Sequence, residues 1–178
     1  MSKRKSIDVG LNLGVFYVKG TWEPNENERK AAWEMYVELI TRVSAEGLRA
    51  REGILRESLN SLYSIFDCTR IILKKYGTDV ARPRKRTDEY SFGLLAVMIL
   101  NQVLRPFLTK WHPILEEYEA KKPEEMSIKA YEDKWEQNDQ MRAELNDVRR
   151  VLICFSYYLA RIAEVTPLWK PAAEHEDE

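Results

Sequence analysis

The sequence predicts an all-α protein: an antiparallel four-helix bundle with a short extended, β-like arm at its N-terminus and a kinked third helix. Three observations lead to this prediction. The chain has 178 residues, which suits one domain with a sizeable core. Apolar residues recur three and four positions apart over most of its length. Only residues 7–22 look strand-like. We therefore divide the chain into an arm (1–22), a helical domain (23–166) and a partly disordered tail (167–178).

The arm is rich in β-branched and aromatic residues interrupted by glycines. Its alternating positions are Leu11, Leu13, Val15 and Tyr17. No second strand signal of comparable quality follows. A lone strand leaves backbone groups without partners, so we expect the arm either to pack on the helices or to pair with another chain. The same four residues are candidates for partner binding.

The first two helices have clear boundary signals. Asn25 stands three residues before Glu28, a spacing typical of a capping box, and Gly77 stands where a C-terminal cap belongs. The predicted apolar face of the first helix contains Ala32, Tyr36, Leu39 and Val43. That of the second contains Leu55, Leu59, Leu62, Phe66, Thr69, Leu73 and Tyr76.

The third helix is apolar on nearly every side from Phe92 to Leu104, which predicts the most buried element. Pro106 and Pro113 follow, so we expect a kink or break near Arg105 and another near His112. The last helix is predicted from near Ser127 to Val165. Its apolar seam contains Met141, Leu145, Val148, Leu152, Phe155, Leu159 and Ile162.

The composition favours a cytoplasmic protein that does not enter membranes. Lys and Arg total 28, Asp and Glu total 29, and two cysteines are too few for a disulfide framework. No apolar signal segment follows the basic N-terminus, and the longest apolar stretch is about half the roughly 20 residues that a bilayer requires. The charge is uneven: residues 1–90 carry 17 basic and 13 acidic side chains, whereas residues 91–178 carry 11 and 16.

One constellation could support catalysis. On a continuous helix Gln102, Arg105, Thr109 and His112 would share a face. The Arg guanidinium could hold a phosphate while the His imidazole moves a proton. An Arg separated from a His by six residues resembles the signature of the HEPN family, helical-bundle proteins of which many are metal-independent ribonucleases acting as dimers. The resemblance implies a catalytic role for Arg105 and His112.

Two further groups are candidate contacts. The basic loop with Arg82, Arg84, Lys85 and Arg86 could meet nucleic-acid phosphates, extended by Arg49 and Arg51. Trp135 lies in a polar stretch and Trp169 follows the last helix. If exposed, both could anchor a protein partner.

The sequence contains no nucleophile elbow, Walker loop, dinucleotide glycine motif or zinc helix motif, and it predicts no cofactor or metal. The favoured interpretation is a non-enzymatic interaction or accessory protein, a subunit of a bacterial cytoplasmic complex with a protein partner or a second copy. A HEPN-like ribonuclease and a nucleic-acid-binding module stay open as alternatives. Under the favoured interpretation, deleting residues 1–22 should weaken association more than folding.

Overall fold

The computed structural model describes residues 6–13, 17–42, 52–83 and 85–171. These residues form five helices and a three-stranded mixed sheet. The strands are β1 (Ile7–Asn12), β2 (Tyr17–Trp22) and β3 (Glu89–Tyr90). The helices are α1 (Glu26–Arg42), α2 (Leu55–Tyr76), α3 (Phe92–Glu119), α4 (Ile128–Glu132) and α5 (Asn138–Ile162), and a 3-10 turn follows α2 at Gly77–Val80. The mostly helical character agrees with the sequence, but the all-α bundle is wrong because of the sheet.

The segment predicted as one unpartnered strand is two strands that pair with each other. β1 and β2 run antiparallel, with Ile7 opposite Trp22 and Asn12 opposite Tyr17. β3 adds to β2 in parallel, so the sheet order is β1-β2-β3. A hairpin satisfies its backbone groups internally, which removes the need for another chain.

The hairpin belongs to the main core. Its inward side chains are buried and continue into the same apolar cluster as the helices: Ile7, Val9, Leu11, Leu13, Val18 and Trp22. Helix α5 covers the outer edge of β1, where the Gly10 N–H donates to the Tyr158 hydroxyl at 3.0 Å and the Cys154 thiol donates to the Gly10 carbonyl at 3.8 Å. The segment contacts the helices as a hairpin in a sheet, and not as the single extended arm that the sequence predicted.

Gly20 allows the third strand to approach. A Cβ added at this position would lie 2.1 Å from the Asp88 carbonyl oxygen and 2.5 Å from the Tyr90 ring. Any side chain would push β3 away from β2.

The capping box at the start of α1 is confirmed. The Glu28 N–H donates to Asn25 Oδ1 at 2.8 Å, and the Asn25 N–H donates to Glu28 Oε2 at 2.9 Å. Ala32, Tyr36 and Leu39 are buried as predicted, whereas Val43 lies outside the described residues. Helix α2 ends as predicted at Gly77, whose φ of 60° suits glycine.

The N-terminus of α2 is capped from a distance. Its own cap residue, Ile54, offers no side-chain acceptor. The fully buried Glu132 of α4 accepts hydrogen bonds from the Leu55 N–H at 2.7 Å and the Arg56 N–H at 3.1 Å. Burial raises the pKa of the Glu132 carboxyl, although these two bonds oppose the shift.

Helix α3 is continuous from Phe92 to Glu119, so no break occurs near Arg105 or His112. The kink that the sequence offered as the alternative at these two places stays a prediction. Its α-helical parts, Phe92–Ile99 and Arg105–Glu119, are joined by a π-helical segment, Leu100–Leu104. The Arg105 N–H donates to the Leu100 carbonyl, five residues back. The wider π-turn lies where Pro106 removes a backbone donor, and Pro113 is accommodated inside the helix.

The predicted last helix is divided in two. The Ser127 side chain caps the short α4, and α5 begins at Asn138. The predicted seam of α5 is buried along its whole length. The helix ends with Glu164 in the left-handed region (φ 59°), where the Val165 N–H donates to the Ala160 carbonyl at 2.9 Å.

By length and composition alone, helix α3 is long and apolar enough to cross a membrane. Its mean hydropathy reaches 1.5 over a window of 18 residues. Half of that window is buried inside the protein, and a core helix of a soluble protein passes the same test. The expectation that the protein avoids membranes stays a prediction.

Candidate functional site

Helices α2 and α3 run antiparallel and meet through three side-chain pairs. The residue numbers in these pairs rise along α2 as they fall along α3, which shows that the two helices run in opposite directions. The pairs are the ion pair Arg56–Glu119 (2.6 Å), the edge-on rings of Tyr63 and His112 (5.4 Å between centroids), and the guanidinium of Arg105 over the Phe66 ring (5.3 Å).

A cleft of about 340 Å³ lies between these helices. It is lined by Tyr63, Phe66, Asp67 and Arg70 from α2, and by Arg105, Leu108 and Thr109 from α3. The cleft begins one residue after the π-helical segment of α3. It thus combines aromatic walls, two guanidinium groups and one carboxylate.

Arg105 is held in place by neutral groups. Its guanidinium stacks on Phe66, and its Nε donates to Asn101 Oδ1 at 3.1 Å. Within the described part of the chain, neither terminal nitrogen of Arg105 has a hydrogen-bonding partner. The side chain is therefore oriented, but its charge is not neutralised by an acidic group.

Arg70 is bound more loosely. Its Nη2 lies 3.1 Å from Asp67 Oδ1, one turn earlier on α2, and the two side chains are 61% and 75% exposed. An exposed pair of this kind contributes about 0–1 kcal/mol and exchanges readily with other partners.

His112 does not join Arg105 at one point. The Arg105 side chain extends to Asn101, towards the start of α3, whereas His112 Nδ1 lies 4.0 Å from Glu116 Oε2, towards its end. Seven residues separate the two by about 10.5 Å along the helix axis. The structure places both predicted catalytic residues on one helical face but points their side chains apart.

Two basic side chains of the loop, Arg82 and Arg86, are paired with neighbouring acids. Arg82 Nη2 lies 2.9 Å from Glu28 Oε2, and Arg86 pairs with Asp88 through two nitrogens at 2.9 and 2.6 Å. The Lys85 N–H donates to Glu89. Arg84, Arg49 and Arg51 lie outside the described residues. Phosphate binding by this loop stays a prediction, and the ion pairs do not favour it.

Glu28 is the polar centre that the sequence did not reveal. Its fully buried carboxylate accepts four hydrogen bonds: from Trp22 Nε1 (3.1 Å), the Asn25 N–H (2.9 Å), Arg82 Nη2 (2.9 Å) and the Phe92 N–H (3.1 Å). The capping-box spacing indicated only the local bond to Asn25. The other donors lie 6 to 64 residues away in sequence.

Several predicted partner-binding residues are core residues. Leu11 and Leu13 are 0% and 4% exposed, so their side chains face the core. Partner binding by these two residues stays a prediction that their burial does not favour. Trp135 is also buried (8% exposed), since its ring contacts Trp111 edge-on at 5.9 Å and stacks on Tyr118 at 5.4 Å. An apolar ring in the polar stretch of sequence thus fills the gap between α3 and the start of α5.

The remaining candidates are more open. Tyr17 is 52% exposed and Trp169 is half-buried, while Val15 lies outside the described residues. Sequence reasoning missed the two exposed apolar side chains of α2, Tyr63 and Ile71, which are 42% and 65% exposed. Both lie off the buried stripe from which that helix was recognised.

Within the described ranges, no group of three or more His, Cys, Asp and Glu side chains could hold a metal ion. The chain matches no protein-family model, and neither a curated protein nor a solved structure is significantly similar to it. The resemblance to the HEPN family therefore depends on the spacing of Arg105 and His112 alone.

Proposed function

We propose that the protein is a non-enzymatic interaction protein, an accessory subunit of a cytoplasmic complex that binds its partner through α2. The observation that carries this proposal is the exposure of two apolar side chains of α2: Tyr63, which lines the α2–α3 cleft, and Ile71, one turn after the lining residue Asp67. Fully burying an Ile side chain is worth about 1.5–3 kcal/mol, and most of that surface on Ile71 is still in contact with water. A partner that covers it gains a large part of this free energy.

The fold changes how the proposal is tested. The hairpin supplies six buried side chains to the core, so deleting residues 1–22 would damage the fold itself. This reverses the expectation that truncation weakens association more than folding. Point substitutions on the outer face of α2 are the appropriate perturbation, because they leave the core intact.

The test compares two exposed isoleucines on different helices. Ile71→Ser removes the candidate contact on α2, and Ile128→Ser on α4, where the side chain is 42% exposed, is the matched control. Tagged chains are purified from the source cells, and the mass of each complex is measured by light scattering. We expect a complex heavier than the monomer that Ile71→Ser weakens and Ile128→Ser retains. A monomer with no stoichiometric partner, or equal effects of the two substitutions, would refute the proposal.

A metal-independent ribonuclease is the second candidate. One observation supports it: Arg105 and His112 lie seven residues apart on a continuous helix, within about 20° of the same face. Both side chains would have to change rotamer to meet at one phosphate. This candidate requires cleavage of single-stranded RNA in the presence of a chelator, leaving a 2′,3′-cyclic phosphate. Activity that survives unchanged in His112→Ala would exclude it.

A further inference from the structure

We infer that the α2–α3 cleft binds a short acidic segment of a partner protein, with Arg105 and Arg70 receiving its carboxylates. This inference rests on the proposed interaction function and specifies the chemistry of the partner. It follows from the charge, the preorganisation and the size of the cleft, together with the apolar side chain beside it.

The charge of the cleft is unbalanced. Arg105 and Arg70 face one lining carboxylate, Asp67, which pairs only weakly with Arg70. An acidic segment would neutralise Arg105, whose present partners are an amide oxygen and an aromatic ring. The cleft is therefore complementary to negative charge.

Arg105 is preorganised for a carboxylate. The contact with the Phe66 ring and the hydrogen bond from Nε to Asn101 both restrain the exposed guanidinium. Its two terminal nitrogens can donate in parallel to one carboxylate, the geometry in which Arg–carboxylate pairs are strongest. Because the side chain is already ordered, binding costs less conformational entropy.

The surroundings favour a protein segment over a nucleic-acid strand. A strand needs a succession of free cations along its backbone. Near the cleft on α3, however, Lys110 pairs with Glu144 at 2.5 Å. In the basic loop, Arg82 and Arg86 are paired with Glu28 and Asp88.

The size of the cleft limits the segment to a few side chains. A volume of about 340 Å³ is at the lower end of the range for ligand-binding clefts. Ile71, one turn after Asp67 on α2, can contact an apolar residue next to the bound acid. An alternation of acidic and apolar residues fits both features.

The test uses a fluorescein-labelled peptide of alternating glutamate and leucine, and the same peptide with glutamine in place of glutamate. The fluorescence anisotropy of the labelled peptide is measured as full-length protein is added. Four proteins are compared: wild type, Arg105→Gln, Arg70→Gln and Arg150→Gln. Arg150 is the matched control, because it forms an exposed ion pair with Asp147, three residues earlier on its helix, as Arg70 does with Asp67.

We expect the glutamate peptide to bind, and the glutamine peptide to bind at least about tenfold more weakly, since a charge-assisted hydrogen bond contributes about 1.5–3 kcal/mol. Arg105→Gln should weaken binding about tenfold and Arg70→Gln less. Arg150→Gln should weaken it less than twofold, because Arg150 does not line the cleft. Added salt should lower the affinity.

No binding of the glutamate peptide, equal binding of the two peptides, or an equal loss in Arg150→Gln would overturn the inference. Tighter binding of labelled poly(U) RNA than of the glutamate peptide would also overturn it, by assigning the cleft to nucleic acid. A complex that depends on Ile71 but not on Arg105 would leave the proposed function intact and reject the acidic segment alone.

Discussion

The carboxylate of Glu28 joins parts of the chain that are distant in sequence, and its removal should destabilise the whole protein. It accepts hydrogen bonds from the end of β2 (Trp22), the cap of α1 (Asn25), the loop before β3 (Arg82) and the start of α3 (Phe92). Glu28→Ala leaves the Trp22 and Phe92 donors without an acceptor in a buried site, and the Asn25 N–H in a partly buried one.

The expected loss follows from these donors. A buried donor without an acceptor costs about 1–3 kcal/mol. Arg82 is 40% exposed and can turn to water, so its share is smaller. We expect Glu28→Ala to lower the free energy of unfolding by about 3–5 kcal/mol, a large part of the 5–15 kcal/mol typical of a native protein. Glu28→Gln keeps one acceptor oxygen and should cost about half as much.

Equilibrium unfolding in urea measures this loss, with tryptophan fluorescence reporting on the five tryptophans together and far-UV circular dichroism on the helices. Glu26→Ala is the control, because Glu26 is 75% exposed and pairs with Lys30 at 3.7 Å. The control should change stability by less than about 0.5 kcal/mol. If Glu28→Ala fails to fold, Glu28→Gln supplies the measurement. A Glu28→Ala chain within about 1 kcal/mol of wild type would refute the reasoning.

Two further predictions concern helix ends. Burial raises the pKa of Glu132 above its ordinary 4.5, so the folded state binds this proton more tightly and the contribution of Glu132 to stability falls as the pH rises from about 4.5 through the raised pKa. The Gln side chain of Glu132→Gln has no proton to lose in this pH range and can still accept from the Leu55 N–H. The urea midpoint of this variant should therefore depend less on pH than that of wild type. Parallel plots of midpoint against pH for the two proteins would contradict this. Glu164→Gly relieves the left-handed backbone at the end of α5, which should stabilise the fold by about 1 kcal/mol. This gain should exceed the loss of the ion pair between Glu164 and Arg29, so the thermal midpoint should rise. An unchanged or lower midpoint would indicate that the ion pair outweighs the strain.

The helices were accessible from sequence because local rules govern them. The spacing of Asn25 and Glu28 predicts a capping box that the structure contains, and Gly77 predicts the end of α2. The buried seam of α5 follows the predicted period of three and four residues. Each of these features depends on residues within a turn or two of one another.

The sheet was missed because its pairing joins two halves of one apparent strand. Residues 7–22 alternate on both sides of positions 14–16, and this pattern suits either one long strand or a hairpin. β3 has only two residues and gives no periodic signal. The sequence allowed a kink or a break at Pro106 and at Pro113. The helix continues through both prolines, and a π-helical segment lies directly before Arg105.

The candidate site was predicted only in part. Arg105 and His112 were identified by their spacing, but the directions of their side chains depend on Asn101, Phe66, Tyr63 and Glu116, of which two belong to α2. The other lining arginine, Arg70, belongs to no motif. Only the antiparallel packing of α2 on α3 brings it to the cleft.

The sequence by itself determined the capping box of α1, the end of α2 and the buried seam of α5, because hydrophobic periodicity and capping act over a few residues. Tertiary structure alone decided the hairpin, the four donors that meet at Glu28 and the cleft between α2 and α3. In each of these the partners are set by the whole core, since a buried polar group takes whichever donor the packing brings to it.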